Sequence, residues 1–178
     1  DLGRDRARSR LHLFVRVALD RFVRSQLMTT PIRILVADDD VAKRLAITRI
    51  LRQANYEVLQ AAGGVEALDL AKTTALDLVL LDVEMPDLGG TEVCLRLRAD
   101  PATSALPVLY LSAHRTKTRH RIEGLDSGAD GYLVWPVDPQ ELLAWVRTLL
   151  RVHHTERALR AANADWDHTL ESISDAFF

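Results

Sequence analysis

Residues 77–86 read DLVLLDVEMP. Four apolar residues, Leu78 to Leu81, run into a carboxylate, Asp82, and Pro86 follows four positions later. A strand this apolar has no polar face to show water, so it belongs in a sheet covered on both sides. Such sheets are parallel and need a crossover helix between strands. The flanking chain supplies that alternation. Upstream, IRILVA (32–37) and YEVLQA (56–61) read as strands. Between them the spacing predicts a helix over 41–55, with Leu45, Ile47, Ile50 and Leu51 as its apolar face. A helix opened by glycines (63–74) leads into the strand 76–82. Downstream come a helix over 89–100 with Val93, Leu95 and Leu97, a strand over 106–113 and a weaker helix over 116–128. A strand over 131–135 and a helix over 138–151 follow, with Asp138 as N-cap and Pro139 at the first helical position. Five strand–helix pairs predict an α/β fold, a doubly wound parallel sheet with right-handed crossovers.

Ligands of such sheets bind at the carboxyl ends of the strands, beside the point where strand order reverses. Strand 1 ends in Asp38, Asp39 and Asp40; strand 3 in Asp82; strand 4 in Ser112 and Ala113; strand 5 in Trp135 and Pro136. A lone acid after a strand is usually a turn or a helix cap, and Asp40 suits a cap for the helix that starts at Val41. Acids from two strands are harder to explain that way. Crowded carboxylates repel, and a divalent cation relieves the repulsion; all-oxygen ligands with room for water suit magnesium.

Four segments, ILVADDD, LVLLDVEMPDLGG, LYLSA and DGYLVWP, occur in an order and spacing that resemble the receiver domain of two-component response regulators. The resemblance covers roughly residues 32–151. It implies a five-stranded, flavodoxin-like sheet in the order 2-1-3-4-5; the chemotaxis receiver is a standard example of that order. It implies that Asp82 accepts a phosphoryl group from a histidine kinase or phosphotransfer protein. Magnesium would be held directly by Asp39 and Asp82, through water by Asp38, and by the backbone carbonyl of Glu84. Ser112, with Ala113 beside it, would contact the phosphoryl group, and Tyr132 would be the switch aromatic. A receiver domain is not itself an enzyme.

One position departs from the family pattern. A lysine usually precedes the proline after strand 5; here Trp135 stands there, and strand 5 holds no Lys or Arg. An indole has a single N–H donor and no charge. Two readings follow: a phosphorylated receiver with an altered phosphoryl lifetime, or a pseudo-receiver that acts as an interaction and dimerisation module without phosphorylation. The acids and Ser112 favour the first. Other phosphate chemistry fits poorly. Asp38-x-Asp40 resembles the acid pair of haloacid-dehalogenase-type phosphatases, but that reading leaves Asp82 and Ser112 without a role. DDDVAK would repel the phosphate of a flavin, and AAGGVEAL reads as a turn rather than a phosphate cradle.

The 178 residues suit one domain with appendages, and the net charge of -2 calls for neither nucleic acid nor anionic lipid. One cysteine, Cys94, excludes an internal disulfide and fits a cytoplasmic setting; its place on an apolar helix face makes it a core residue. No apolar run is long enough for a membrane span. His153 and His154 read as solvated. Residues 1–27 carry seven arginines against three aspartates, a net of +4. They form a basic, amphipathic extension, expected to be helical, before Met28, where the receiver segment (28–151) begins. Beyond it, Val152, Leu159, Trp166 and Ile173 recur every seven residues. That seam predicts that the last helix runs on, from about 139 to 173, as an extended C-terminal signalling helix (152–178 beyond the receiver) that pairs as a coiled-coil homodimer. LESISDAFF resembles the opening of a PAS sensor domain, as expected of a piece of a multidomain receiver–PAS protein.

Overall fold

The computed structural model describes the backbone of residues 31–113 and 127–176, and the side chains of 31–113 and 127–159. Five strands, β1 (Arg33–Ala37), β2 (Glu57–Ala61), β3 (Leu78–Leu81), β4 (Val108–Ser112) and β5 (Gly131–Val134), form one sheet. Its order is β2-β1-β3-β4-β5 and every pairing is parallel. The described helices are α1 (Val41–Gln53), α2 (Gly64–Thr73), α3 (Gly90–Ala99) and α4 (Pro139–Ala176). The expected helix over 116–128, apart from Ser127 and Gly128, which form a turn, and the N-terminal extension lie outside the described residues, as does the end of the segment likened to a PAS opening.

β3 and β4 are buried along their whole length, Leu78–Leu81 completely. Burial of each such side chain contributes about 1.5–3 kcal/mol. One face of the sheet carries Leu35, Val79, Leu81, Val108 and Tyr110 against Ala67, Leu68, Val93 and Leu97 of α2 and α3. Cys94 is fully buried in this layer, as its sequence position predicts. The opposite face is left to α1 and α4, as right-handed crossovers dictate when strand order reverses after β2. They bury Ile47 and Leu51, and Leu142, Val146 and Leu150.

Helix ends follow local chemistry. Asp40 caps α1 by accepting from the N–H groups of Ala42 (2.8 Å) and Lys43 (3.2 Å). Asn55 takes a left-handed φ of 65° just past its end. Asp138 caps α4 by accepting from Gln140 N–H at 2.7 Å. α2 has only Gly63 at its N-cap, so its cap comes from elsewhere. The carboxylate of Asp87, in the loop after β3, accepts from Gly64 and Val65 N–H, both at 3.0 Å. The glycine pair is thus no phosphate cradle, because an internal anion fills it. A Cβ on Gly63 would lie 2.5 Å from that carboxylate.

Two sequence expectations fail in the packing. Leu45, assigned to the apolar face of α1, is exposed, and so is Leu95 on α3. The inward face of α1 is Lys43, Ile47, Thr48 and Leu51, a phase that puts a lysine where an apolar residue was expected. His153 is not solvated either: on α4 it is only 7% exposed, and burial pulls its pKa below the usual histidine value. Its neighbour His154 lies 3.6 Å from Asp77. α4 runs unbroken from the end of the sheet to Ala176, the extended C-terminal helix that the sequence led one to expect, a span of about 57 Å at 1.5 Å per residue. Among the described residues, no helix is long and apolar enough to cross a membrane.

Candidate functional site

β1 is the switch point of the sheet: the chain leaves it toward β2, and β3 lies on its other side. The last residues of β1 and β3, Ala37 and Leu81, are register partners. Each strand therefore delivers its next residue, Asp38 or Asp82, to the same edge. Asp82 N–H donates to Ala37 O at 2.8 Å and Asp38 N–H to Ala61 O at 3.1 Å, so both acids are held by sheet-like bonds. Asp38 is 2% exposed and Asp82 7% exposed. Asp39 lies on the rim, exposed. One carboxylate oxygen from each of the three falls within 4.8 Å of the others.

The acids are tied down by backbone donors. Asp38 Oδ1 accepts from Asp40 N–H at 2.9 Å, and Asp82 Oδ2 from Glu84 N–H at 3.1 Å. The Glu84 side chain is exposed. Ser112 ends β4, buried, and its carbonyl accepts from Trp135 N–H at 2.8 Å; Ala113 beside it is exposed. Tyr132 lies edge-on to the buried Tyr110, ring centroids 6.5 Å apart. Tyr110 also hydrogen-bonds Ser127 Oγ at 2.8 Å. Trp135 is partly exposed and joins Pro136 through a cis peptide.

The residue that sequence reasoning missed is Lys43. It projects from the first turn of α1 into the acid cluster, and its side chain is 5% exposed. The ammonium donates to Asp82 Oδ1 at 2.5 Å and to Leu111 O at 2.9 Å. It also stands 2.8 Å from Asp38 Oδ2, though off the line of a hydrogen bond, so that buried oxygen keeps no hydrogen-bond partner. Burial, the largest influence, raises the pKa of Asp82; the hydrogen bond and charge of Lys43 oppose it, and the negative charge of Asp38 adds to it. The available signal was the spacing 43, 47, 51, which phases Lys43 with Ile47 and Leu51 beside a run of acids.

This donor set fits a hard divalent cation. It is all oxygen, and the buried Asp38 Oδ2, though ion-paired with Lys43, makes no hydrogen bond. Opposite oxygens around magnesium lie about 4.2 Å apart, so a spread of 4.8 Å needs only a small closure.

Three comparisons place the chain. The family model for the response regulator receiver domain matches residues 34–147, more than half of it. The chain is similar to the response regulator MprA of Mycobacterium sp. (strain KMS), 50% identical over 121 residues, covering 68% of this chain and 51% of that protein. It thus spans about half the length of the curated relatives it matches. Among solved structures it resembles a response regulator from Chloroflexus aurantiacus J-10-fl, with 37% identity and a TM-score of 0.66, covering 68% of this chain and 99% of that one. It also resembles the receiver domain of a sensor histidine kinase from Pseudomonas aeruginosa PAO1, solved with a magnesium ion in its active-site cleft. That match has 26% identity and a TM-score of 0.64, over 68% and 98% of the two chains. With the sheet order, the acid cluster and these matches in agreement, the chain belongs to the response regulator receiver domain family.

Proposed function

We propose that Asp82 is the phosphoryl acceptor of this receiver and that a histidine kinase or phosphotransfer protein is its donor. The supporting observation is the burial of Asp82 at the switch point, within 4.8 Å of oxygens from Asp38 and Asp39. In the transfer, an Asp82 carboxylate oxygen forms a bond to phosphorus while the N–P bond of the donor's phosphohistidine breaks. The imidazole nitrogen keeps the electron pair and takes a proton from solvent. Asp39, Asp82 and the Glu84 backbone carbonyl would hold magnesium, with Asp38 acting through water, and the ion would supply positive charge to the transferring group. Ser112 offers a hydroxyl to the phosphoryl oxygens, with Ala113 flanking it. Tyr132, already against Tyr110, follows the end of β4 as it moves. The change leaves the domain through α4, whose exposed Val152 and Leu159 begin a seven-residue seam suited to homodimerisation. A cytoplasmic setting goes with such a donor.

A second reading has a specific observation behind it. Lys43 already neutralises Asp82, as it would in a receiver that signals by contact alone. Intact mass after incubation with acetyl phosphate and magnesium separates the two. The expected result is an adduct on the native protein, absent from Asp82→Asn and abolished by chelator. No adduct after long exposure gives the contact-only reading precedence.

A further inference from the structure

Lys43 is expensive where it stands. It occupies the third position of α1, where the helix dipole disfavours a cation. Its ammonium is taken out of water to the ends of β1, β3 and β4, where desolvation is costly unless charge partners offset it. Apolar neighbours such as Ile47 and Leu51 would fill the inward face of α1 at no such cost. Apart from the Leu111 carbonyl, which any donor could serve, only the acids call for an ammonium at this point. β5 brings no cation to this edge: it ends at Val134 and Trp135 follows.

We propose that Lys43 is the charge-neutralising residue of the phosphorylation site, holding Asp82 before transfer and pairing with the phosphoryl oxygens after it. The assignment rests on reading Asp82 as the acceptor. In transfer from acetyl phosphate, the Asp82 oxygen–phosphorus bond forms as the acetate oxygen–phosphorus bond breaks, and acetate leaves with the electron pair. Lys43 is not consumed: its donors pass from a carboxylate oxygen to a phosphoryl oxygen. Two consequences run in opposite directions. An ammonium among three carboxylates repels a divalent cation, so removing it strengthens magnesium binding. The same removal strips the developing phosphoryl charge of a partner, so transfer slows.

The test uses the full chain and four forms: native, Lys43→Gln, Trp135→Lys and Asp82→Asn. Magnesium affinity is read by calorimetry and phosphoryl uptake from acetyl phosphate by intact mass. Lys43→Gln is expected to bind magnesium about tenfold more tightly. It is expected to take up phosphoryl about tenfold more slowly, or worse. Affinity and uptake falling together would reveal a purely structural lysine and overturn the assignment, as would unchanged uptake. Trp135→Lys keeps Lys43 in place and guards against a variant that fails to fold. If Lys43 already serves the site, a second lysine changes uptake by less than about threefold; a gain of about tenfold or more means the site lacked its cation, and overturns the assignment. Failure of the acceptor reading looks different: the native protein gains no adduct, or Asp82→Asn gains as much, and the role of Lys43 falls with it.

Discussion

Gly90 and His153 each tie a single atom position to a measurable property. A Cβ on Gly90 would lie 2.1 Å from the carbonyl oxygen of Asp82, a backbone atom that cannot step aside. Gly90→Ala therefore pushes on the strand end that carries Asp82 and is expected to cost about 1–3 kcal/mol in urea unfolding. His153 acts through protons. Burial lowers its pKa below the ordinary 6.5, with the charge of Arg157 next in weight, so the unfolded chain binds a proton that the folded one refuses. Stability from this site is fully present above pH 6.5 and is lost as pH falls below it. Melting temperature should decline on acidification through that range, and His153→Leu should flatten the decline. At this scale the acids were legible, because a carboxylate directly after an apolar strand is a local signal. Lys43 was not. The helix can be phased two ways from its apolar residues, and the acid that decides the phase, Asp82, lies 39 residues away.

Among elements, legibility was better, because strands and helices of this fold announce themselves by period. β1, β3 and β5 fall within a residue or two of expectation, and Asp40 and Asp138 cap the helices assigned to them. The exception is the start of α2, whose cap arrives from Asp87, beyond any local pattern. The N–H groups of Val65 and Gly64 hold that carboxyl below the usual carboxylate range. Its stabilising effect is present above the unfolded value of 3.8 and disappears as pH falls through the lowered folded one. Asp87→Ala should lower the melting temperature at neutral pH, and the difference from the native protein should shrink at strongly acid pH. A difference independent of pH would mean that the carboxylate is not the capping group.

For the whole molecule the open quantity is association. Val152 and Leu159 are 49% and 63% exposed on α4, seven residues apart, as a helix awaiting a partner would have them. Sedimentation equilibrium should find a dimer for the native chain and a monomer for Val152→Glu/Leu159→Glu, with the receiver still folded by circular dichroism. A native monomer would remove the seam from the account. α4 has a further consequence as an uninterrupted rod of 38 residues. Whatever turns its base turns its far end by the same angle, and a tilt of 10° at the sheet sweeps the far end through about 10 Å. Its length therefore sets a phase as well as a reach. Adding one residue beyond Leu159 rotates everything downstream by about 100°, whereas adding seven returns it to within about 20°. Whatever follows this helix can read the sheet only in register, like a gear that meshes once per heptad.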